Sequence, residues 1–131
     1  MERPWKVLIV EDDESVRMSL EAHFEDKGFS VRRTDTAEEA IQMMENERAD
    51  AVIIDLRLPG MGGEALIRRL HELSPKTVCV VYTGSVKFNI PGDIKEMESV
   101  SETVFFKPVD DLNAISDEVC RLLDILNGEC G

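Results

Sequence analysis

The chain has 131 residues, enough for one domain with a buried core. It carries 27 Asp and Glu against 15 Lys and Arg, a formal net charge of −12, which argues against general nucleic-acid binding because phosphate contacts need clustered cations. No apolar run approaches a membrane span, no basic-then-apolar signal opens the chain, and Cys79, Cys120 and Cys130 are odd in number without metal-type spacing.

Lys6–Val10 is an apolar run that stops on Glu11, Asp12, Asp13 and Glu14, so a buried strand delivers acids to its C-terminal end. Val16, Leu20 and Phe24, four apart, predict an amphipathic helix, and Gly28 stands where a helix stop is expected. Residues 29–34 read as a short second strand. Thr36 and Glu39 have capping-box spacing, and the helix they open buries Ala37, Ala40, Ile41 and Met44. The short β-branched run 51–54 ends on Asp55 and is broken by Pro59 and Gly60, which makes it a buried strand rather than a helix segment. A Gly-rich loop at 59–63 then leads into a helix carrying Ala65, Leu66, Arg69, Leu70 and Leu73, which stops near Ser74 and Pro75.

Residues 77–82 form a fourth strand closing on Thr83, Gly84 and Ser85. The stretch 85–101 has the weakest pattern: a turn at 89–93, then a short helix over 94–98 with Pro91 in its first turn. Residues 104–106 give a fifth strand, ended by Lys107 and Pro108. Asp110 or Asp111 caps a last helix with Leu112, Ile115, Val119, Leu122, Leu123 and Leu126 on its apolar side, and 127–131 is a frayed tail. Strands and helices thus alternate five times. Continuous apolar strands with crossover helices imply a parallel sheet covered on both faces, joined by right-handed connections. One three-layer α/β domain over 1–131, with its core at about 6–126, is the expectation.

Ligands of an open parallel sheet collect in the crevice beyond the carboxyl ends of its strands. There the first strand leaves Glu11 and Asp12, the third Asp55, the fourth Thr83, and the fifth Lys107 followed by Pro108. Taken alone, Asp55 reads first as an acid capping its loop, as most strand-terminal Asp residues do, and Lys107 as a surface lysine, although between Phe106 and Pro108 at a buried strand's end that is an odd place for one. Together, three close carboxylates repel, and an oxygen-preferring divalent cation relieves them. Mg²⁺ fits, since it takes one or two carboxylates plus waters and keeps places for a phosphate. An Asp held there can attack phosphorus and form an aspartyl phosphate, a reaction that needs mainly positioning and charge neutralisation. Lys107 and Mg²⁺ would take charge on two sides of the incoming group, Thr83 would donate a hydrogen bond, and Gly84 would leave space.

This set, in this order, resembles the receiver domain of two-component response regulators over about residues 6–126. Four blocks carry the resemblance: 10–13 (Val-Glu-Asp-Asp), 55–61 (Asp-Leu-Arg-Leu-Pro-Gly-Met), Thr83-Gly84 and Lys107-Pro108. It implies a stand-alone, chemotaxis-regulator-like domain of flavodoxin-like fold, strand order 2-1-3-4-5, with five helices, although the pattern at 85–101 makes the fourth helix short or atypical here. It further implies that Asp55 accepts phosphate from a histidine on a sensor kinase or phosphotransfer protein. Asp12, Asp55 and the backbone carbonyl of Arg57 would bind Mg²⁺, with Glu11 acting through water. The Lys107-Pro108 bond is usually cis in this family.

Two departures stand out. The family usually carries Tyr or Phe three residues before the lysine as a switch coupled to the Thr, and here Val104 occupies that place, small and stiff. The stretch 85–101 also lacks a long fourth helix, so activation is expected to repack residues 85–90 around Thr83. By resemblance Arg57 and Ser85, each two residues past a site residue, tune phosphate lifetime, although Arg57 reads equally as a solvent-facing loop residue.

His23 and His71 each lie alone on a predicted helix and read as ordinary surface or half-buried residues. The glycines at 60–63 lack the Lys-Ser/Thr of a P-loop, and Asp13 and Glu14 serve the first helix's N-terminus. The expected protein is a cytoplasmic phosphorylation switch, not an enzyme beyond its own phosphorylation and dephosphorylation. It would meet a kinase or phosphotransfer protein and an unidentified downstream protein, without direct nucleic-acid or membrane contact, as a monomer or weak dimer. One alternative is a phosphorylation-independent interaction module of the same fold. Another is a Mg²⁺-dependent phosphatase, but such enzymes generally place a second Asp where Arg57 stands.

Overall fold

Five short apolar runs form the strands β1 (Lys6–Val10), β2 (Ser30–Thr34), β3 (Ala51–Ile54), β4 (Val78–Thr83) and β5 (Val100–Phe106). Between them lie α1 (Glu14–Asp26), α2 (Ala37–Asn46), α3 (Gly63–Leu73) and α4 (Gly92–Lys95), and α5 (Asn113–Asn127) follows the last strand. The computed structural model describes residues 4–58, 60–85 and 89–128. All strand pairs are parallel, in the order β2-β1-β3-β4-β5. The chain winds outward from β1 in one direction and then the other, which opens the ligand crevice between the carboxyl ends of β1 and β3.

Strand alternation divides the core in two. Val7, Ile9, Ala51, Ile53, Val78, Val80 and Tyr82 pack against α1 and α5, where Leu20, Phe24, Ile115, Val119 and Leu123 are buried. Leu8, Val10, Val52, Ile54, Cys79 and Val81 pack on the other face against Ala40, Met44, Leu66, Ile67, Leu70 and Ile94 of α2, α3 and α4. The helix ends follow their signals. Asp13 caps α1 by accepting from the Val16 N–H, and Gly28 takes the positive φ that ends it. Thr36 caps α2 through the Glu39 N–H at 3.1 Å, but its own N–H turns to the Thr34 hydroxyl, so half of the expected capping box forms.

Four details differ from the sequence reading. In α3 it is Ile67 that is fully buried while Ala65 is exposed, because the helix begins at Gly63 and its stripe falls on 63, 66, 67 and 70. Helix α4 is a single turn starting at Gly92, with Pro91 at its N-cap, and Arg68 of α3 grips Asp93 through two bonds of 2.7 and 3.1 Å. Strand β5 begins at Val100 rather than at 104. Cys79 pairs with Val100 and Val81 with Val104, so two extra residues bulge from β5. The Ser101 hydroxyl closes that bulge, accepting from the Thr103 N–H and donating to Glu118 of α5. Helix α5 continues to Asn127, and Asp111 is the acid that serves its start, accepting from the Asn113 N–H at 2.9 Å.

Candidate phosphoryl-transfer site

The sheet itself delivers the site. Glu11, Asp55 and Lys107 are each the residue just past a strand, and each still donates the ladder bond to the neighbouring strand. The Glu11 N–H reaches Thr34 O, the Asp55 N–H reaches Val10 O, and the Lys107 N–H reaches Thr83 O, at 3.0, 3.1 and 2.8 Å. Their backbones are thus as fixed as the strands, and alternation sends all three side chains to the face shared with α1 and α5. Gly63 matters to this placement. A Cβ there would lie 2.7 Å from Leu56 Cα and 3.0 Å from Asp55 O, so only glycine lets α3 start so close to the site.

The Lys107 ammonium bridges two acids, 2.6 Å from Glu11 Oε1 and 3.0 Å from Asp55 Oδ2. Glu11 is 2 % exposed and Asp55 5 %. Glu11 spends its second oxygen on the Asp13 N–H, and Arg17 of α1 donates to its backbone carbonyl. Burial, with the charge of Asp55 nearby, raises the Glu11 pKa to about 7, against the pull of Lys107. Burial also pushes Asp55 upward. There the Arg57 N–H, at 3.1 Å from Oδ1, and Lys107 outweigh it and hold the carboxyl below its ordinary range. Burial depresses Lys107 as well, but its two carboxylate partners raise it on balance. Asp55 and Lys107 are thus held in their charged forms, and Glu11 is the acid of the three whose ionisation burial opposes.

One oxygen each of Glu11, Asp12 and Asp55 lie within 4.8 Å of one another, the arrangement of a metal-holding group. Asp12 is exposed and has no hydrogen bond or ion pair to other described residues, so its carboxylate is available to a cation. Both Glu11 oxygens are engaged, which suits a ligand acting through water. Three hard carboxylate oxygens beside an open cleft of about 500 Å³ fit a small divalent cation with retained waters. That cleft is lined by Asp12, Asp13, Asp55, Arg57, Gly84 and Lys107. At Gly84 an added Cβ would meet only an Arg57 guanidinium nitrogen, 4.0 Å away, so the expected space is present.

Not every expected residue joins them. Thr83 is fully buried, and its hydroxyl accepts from the Ser85 N–H at 3.2 Å rather than lining the cleft. Its register accounts for this: Tyr82 faces α1 and α5, so Thr83 belongs to the opposite face, paired with Phe106. Val104 sits half-buried against the α2–α4 core, whereas Phe106 stands 40 % exposed. The Lys107–Pro108 bond is cis. The loop expected to repack, 85–90, includes residues 86–88, which lie outside the described residues, as do Pro59 and 129–131. Ordinary roles hold for the histidines, with His23 bonded to the Ser116 hydroxyl at 2.9 Å.

Two contributors escaped the sequence reading. Arg17 resembles any helix-surface cation. Tyr82 resembles any apolar strand residue, although period-two counting places it on the face of Asp55 and Lys107, and the Lys107 ammonium lies 5.8 Å from its ring centroid.

Known proteins share this sequence pattern and this fold. The pattern of the response regulator receiver domain matches residues 7–118. Sporulation initiation phosphotransferase F of Bacillus subtilis is 27 % identical over 120 residues, covering 92 % of this chain and 94 % of that protein. The cell cycle response regulator CtrA of Brucella ovis is 33 % identical over 79 residues, 60 % of this chain but 34 % of that longer protein. Among solved structures, a CheY-like response regulator receiver domain protein from Methanospirillum hungatei superposes with a TM-score of 0.75 at 25 % identity, covering 94 % of this chain and 99 % of that one. A sensor protein from Polaromonas gives a TM-score of 0.78 at 28 % identity, over 95 % of this chain and 99 % of that one. With its flavodoxin-like strand order and its acid–lysine cleft, the chain belongs to the response regulator receiver domain family.

Proposed function

We propose that this domain is a phosphorylation switch in which Asp55 accepts a phosphoryl group, in the presence of Mg²⁺, from a histidine on a sensor kinase or phosphotransfer protein. The observation that carries this reading is the Lys107 bridge between the buried Glu11 and Asp55, beside an Asp12 that has no partner among the described residues. An Asp55 oxygen would form the new O–P bond as the P–N bond of the phosphohistidine breaks. The imidazole nitrogen keeps the electron pair and takes up a proton from solvent. The Arg57 N–H and Lys107 keep Asp55 ionised and hence nucleophilic, and Lys107 is placed to neutralise the incoming phosphoryl oxygens. Asp12, Asp55 and the Arg57 carbonyl would hold Mg²⁺, with Glu11 acting through water, and the ion would add its charge neutralisation to that of Lys107. Arg57, which lines the cleft, and Ser85, two residues past Thr83, would govern how water reaches the acyl phosphate. The domain would catalyse only its own phosphorylation and dephosphorylation, in the cytoplasm, and signal by protein contact as a monomer or weak dimer.

The buried Thr83 hydroxyl gives the switch its form. To donate to a phosphoryl group the fully buried hydroxyl must turn toward the cleft, so the 83–85 turn rearranges on phosphorylation. The Val104 substitution and the inward Thr83 together support a second reading, an interaction module that works without phosphorylation. Intact-mass measurement with acetyl phosphate separates the two. The switch predicts a gain of one phosphoryl group that requires Mg²⁺ and is absent in Asp55→Asn. No gain in the folded wild type would favour the module.

A further inference from the structure

Tyr82 lies beneath the site, on the face of the sheet that Asp55 and Lys107 share. It is 6 % exposed, on β4, one residue before Thr83, and it pairs in register with Phe105. Its ring stands under the Lys107 ammonium at 5.8 Å from centroid to nitrogen, within the range of a cation–π contact. Its hydroxyl accepts from the Val109 N–H at 3.4 Å, a long bond that adds little by itself. Ring and hydroxyl thus bracket residues 107–109 from below.

We propose that Tyr82 is a positioning residue for phosphoryl transfer, its ring holding the Lys107 ammonium where it spans Glu11 and Asp55. This rests on the transfer reading above. Lysine carries a point charge on a flexible four-carbon stem, so its placement has to come from partners. In the resting site two carboxylates hold it. When a cation and a phosphoryl group enter, those carboxylates are engaged elsewhere, and Asp55 becomes an ester-like acyl phosphate. The uncharged ring of Tyr82 competes for neither ligand, so it keeps the ammonium in place at the moment the new charge develops. Alternation along β4 and β5 makes this possible: Tyr82, Phe105 and Lys107 share one face, and Thr83 and Phe106 share the other.

The geometry also makes the idea testable. Tyr82 walls an open groove of about 280 Å³ between α1 and residues 108–112, so a smaller side chain there leaves no sealed cavity. The rate of phosphorylation by acetyl phosphate should stay within about twofold of wild type in Tyr82→Phe, which keeps the ring, and fall by about fivefold to tenfold in Tyr82→Leu. The Mg²⁺ concentration for half-maximal rate should be the same in all three, since Asp12 and Asp55 are untouched; a general loosening of the site would move it. A second readout needs neither donor nor metal: the Lys107 ε-methylene protons should be shifted upfield by the ring in wild type and Tyr82→Phe, and not in Tyr82→Leu. A folded Tyr82→Leu phosphorylated at the wild-type rate would overturn the proposal. So would a Phe variant as slow as the Leu variant, or an unshifted Lys107 in wild type, which decides the matter even if Tyr82→Leu fails to fold. A wild-type protein that takes up no phosphoryl group would instead sink the transfer reading itself.

Discussion

Glu11 is the acid that the metal-free fold tolerates least. It is 2 % exposed, and burial lifts its pKa from 4.5 to about 7. A group whose folded pKa lies above its unfolded value contributes stability that is fully present below the unfolded pKa and lost as pH rises through the folded one. The loss therefore falls between pH 4.5 and 7, and its size follows from a separation of 7 − 4.5 = 2.5 units. At about 1.36 kcal/mol per unit, the whole titration is worth at most about 3 kcal/mol, and roughly 2–3 kcal/mol between pH 5 and 8.5. Glu11→Gln keeps an oxygen for Lys107 and removes the titration. Thermal melts of both proteins in chelator should diverge as pH rises, the variant gaining about 8 °C on wild type by pH 8.5 for a domain of this size. Mg²⁺ favours the ionised acid, so adding it should shrink the gap. Parallel curves for the two proteins would refute the reasoning.

Three further substitutions probe the frame around the site. Lys107→Ala leaves Glu11 and Asp55 facing each other without a cation, and should cost about 1–3 kcal/mol at pH 8, a loss that Mg²⁺ partly restores in chemical denaturation. Gly63→Ala forces a methyl to within 2.7 Å of Leu56 Cα, and should lose about 1–3 kcal/mol while slowing phosphorylation through the displaced Asp55 backbone. Phe24→Ala empties the α1 side of the core, where its ring meets Phe29 edge-on at 5.1 Å, and should cost about 3–5 kcal/mol without changing the phosphorylation rate below its melting temperature.

The parts of this molecule that were legible in its sequence are those where one residue type has one physical job. Apolar runs ending on Glu11, Asp55 and Lys107 had to be strands delivering charge to a sheet edge, and Thr36, Gly28 and Asp111 mark helix ends by chemistry that few other residues offer. The start of β5 was hidden because Ser101, Glu102 and Thr103 are polar. Their place in the strand depends on a two-residue bulge tied to Glu118, a contact 17 residues away. The single turn of α4 was legible in kind but not in position, since Pro91 fits either the cap or the first turn and the Arg68–Asp93 pair settles it. Strand-end position alone puts Thr83 at the cleft. Which face its hydroxyl takes follows from register with Phe106, and that emerges only when β4 and β5 are paired.

The most direct test of the central claim is to find the phosphorylated atom. Reduction of an acyl phosphate with borohydride converts the aspartate to homoserine, which peptide mass mapping locates to a single residue. After incubation with Mg²⁺ and acetyl phosphate, homoserine at position 55 and nowhere else is the predicted result. Homoserine at Asp12 or Asp13, or none in a folded protein that has gained phosphoryl mass, would contradict the account.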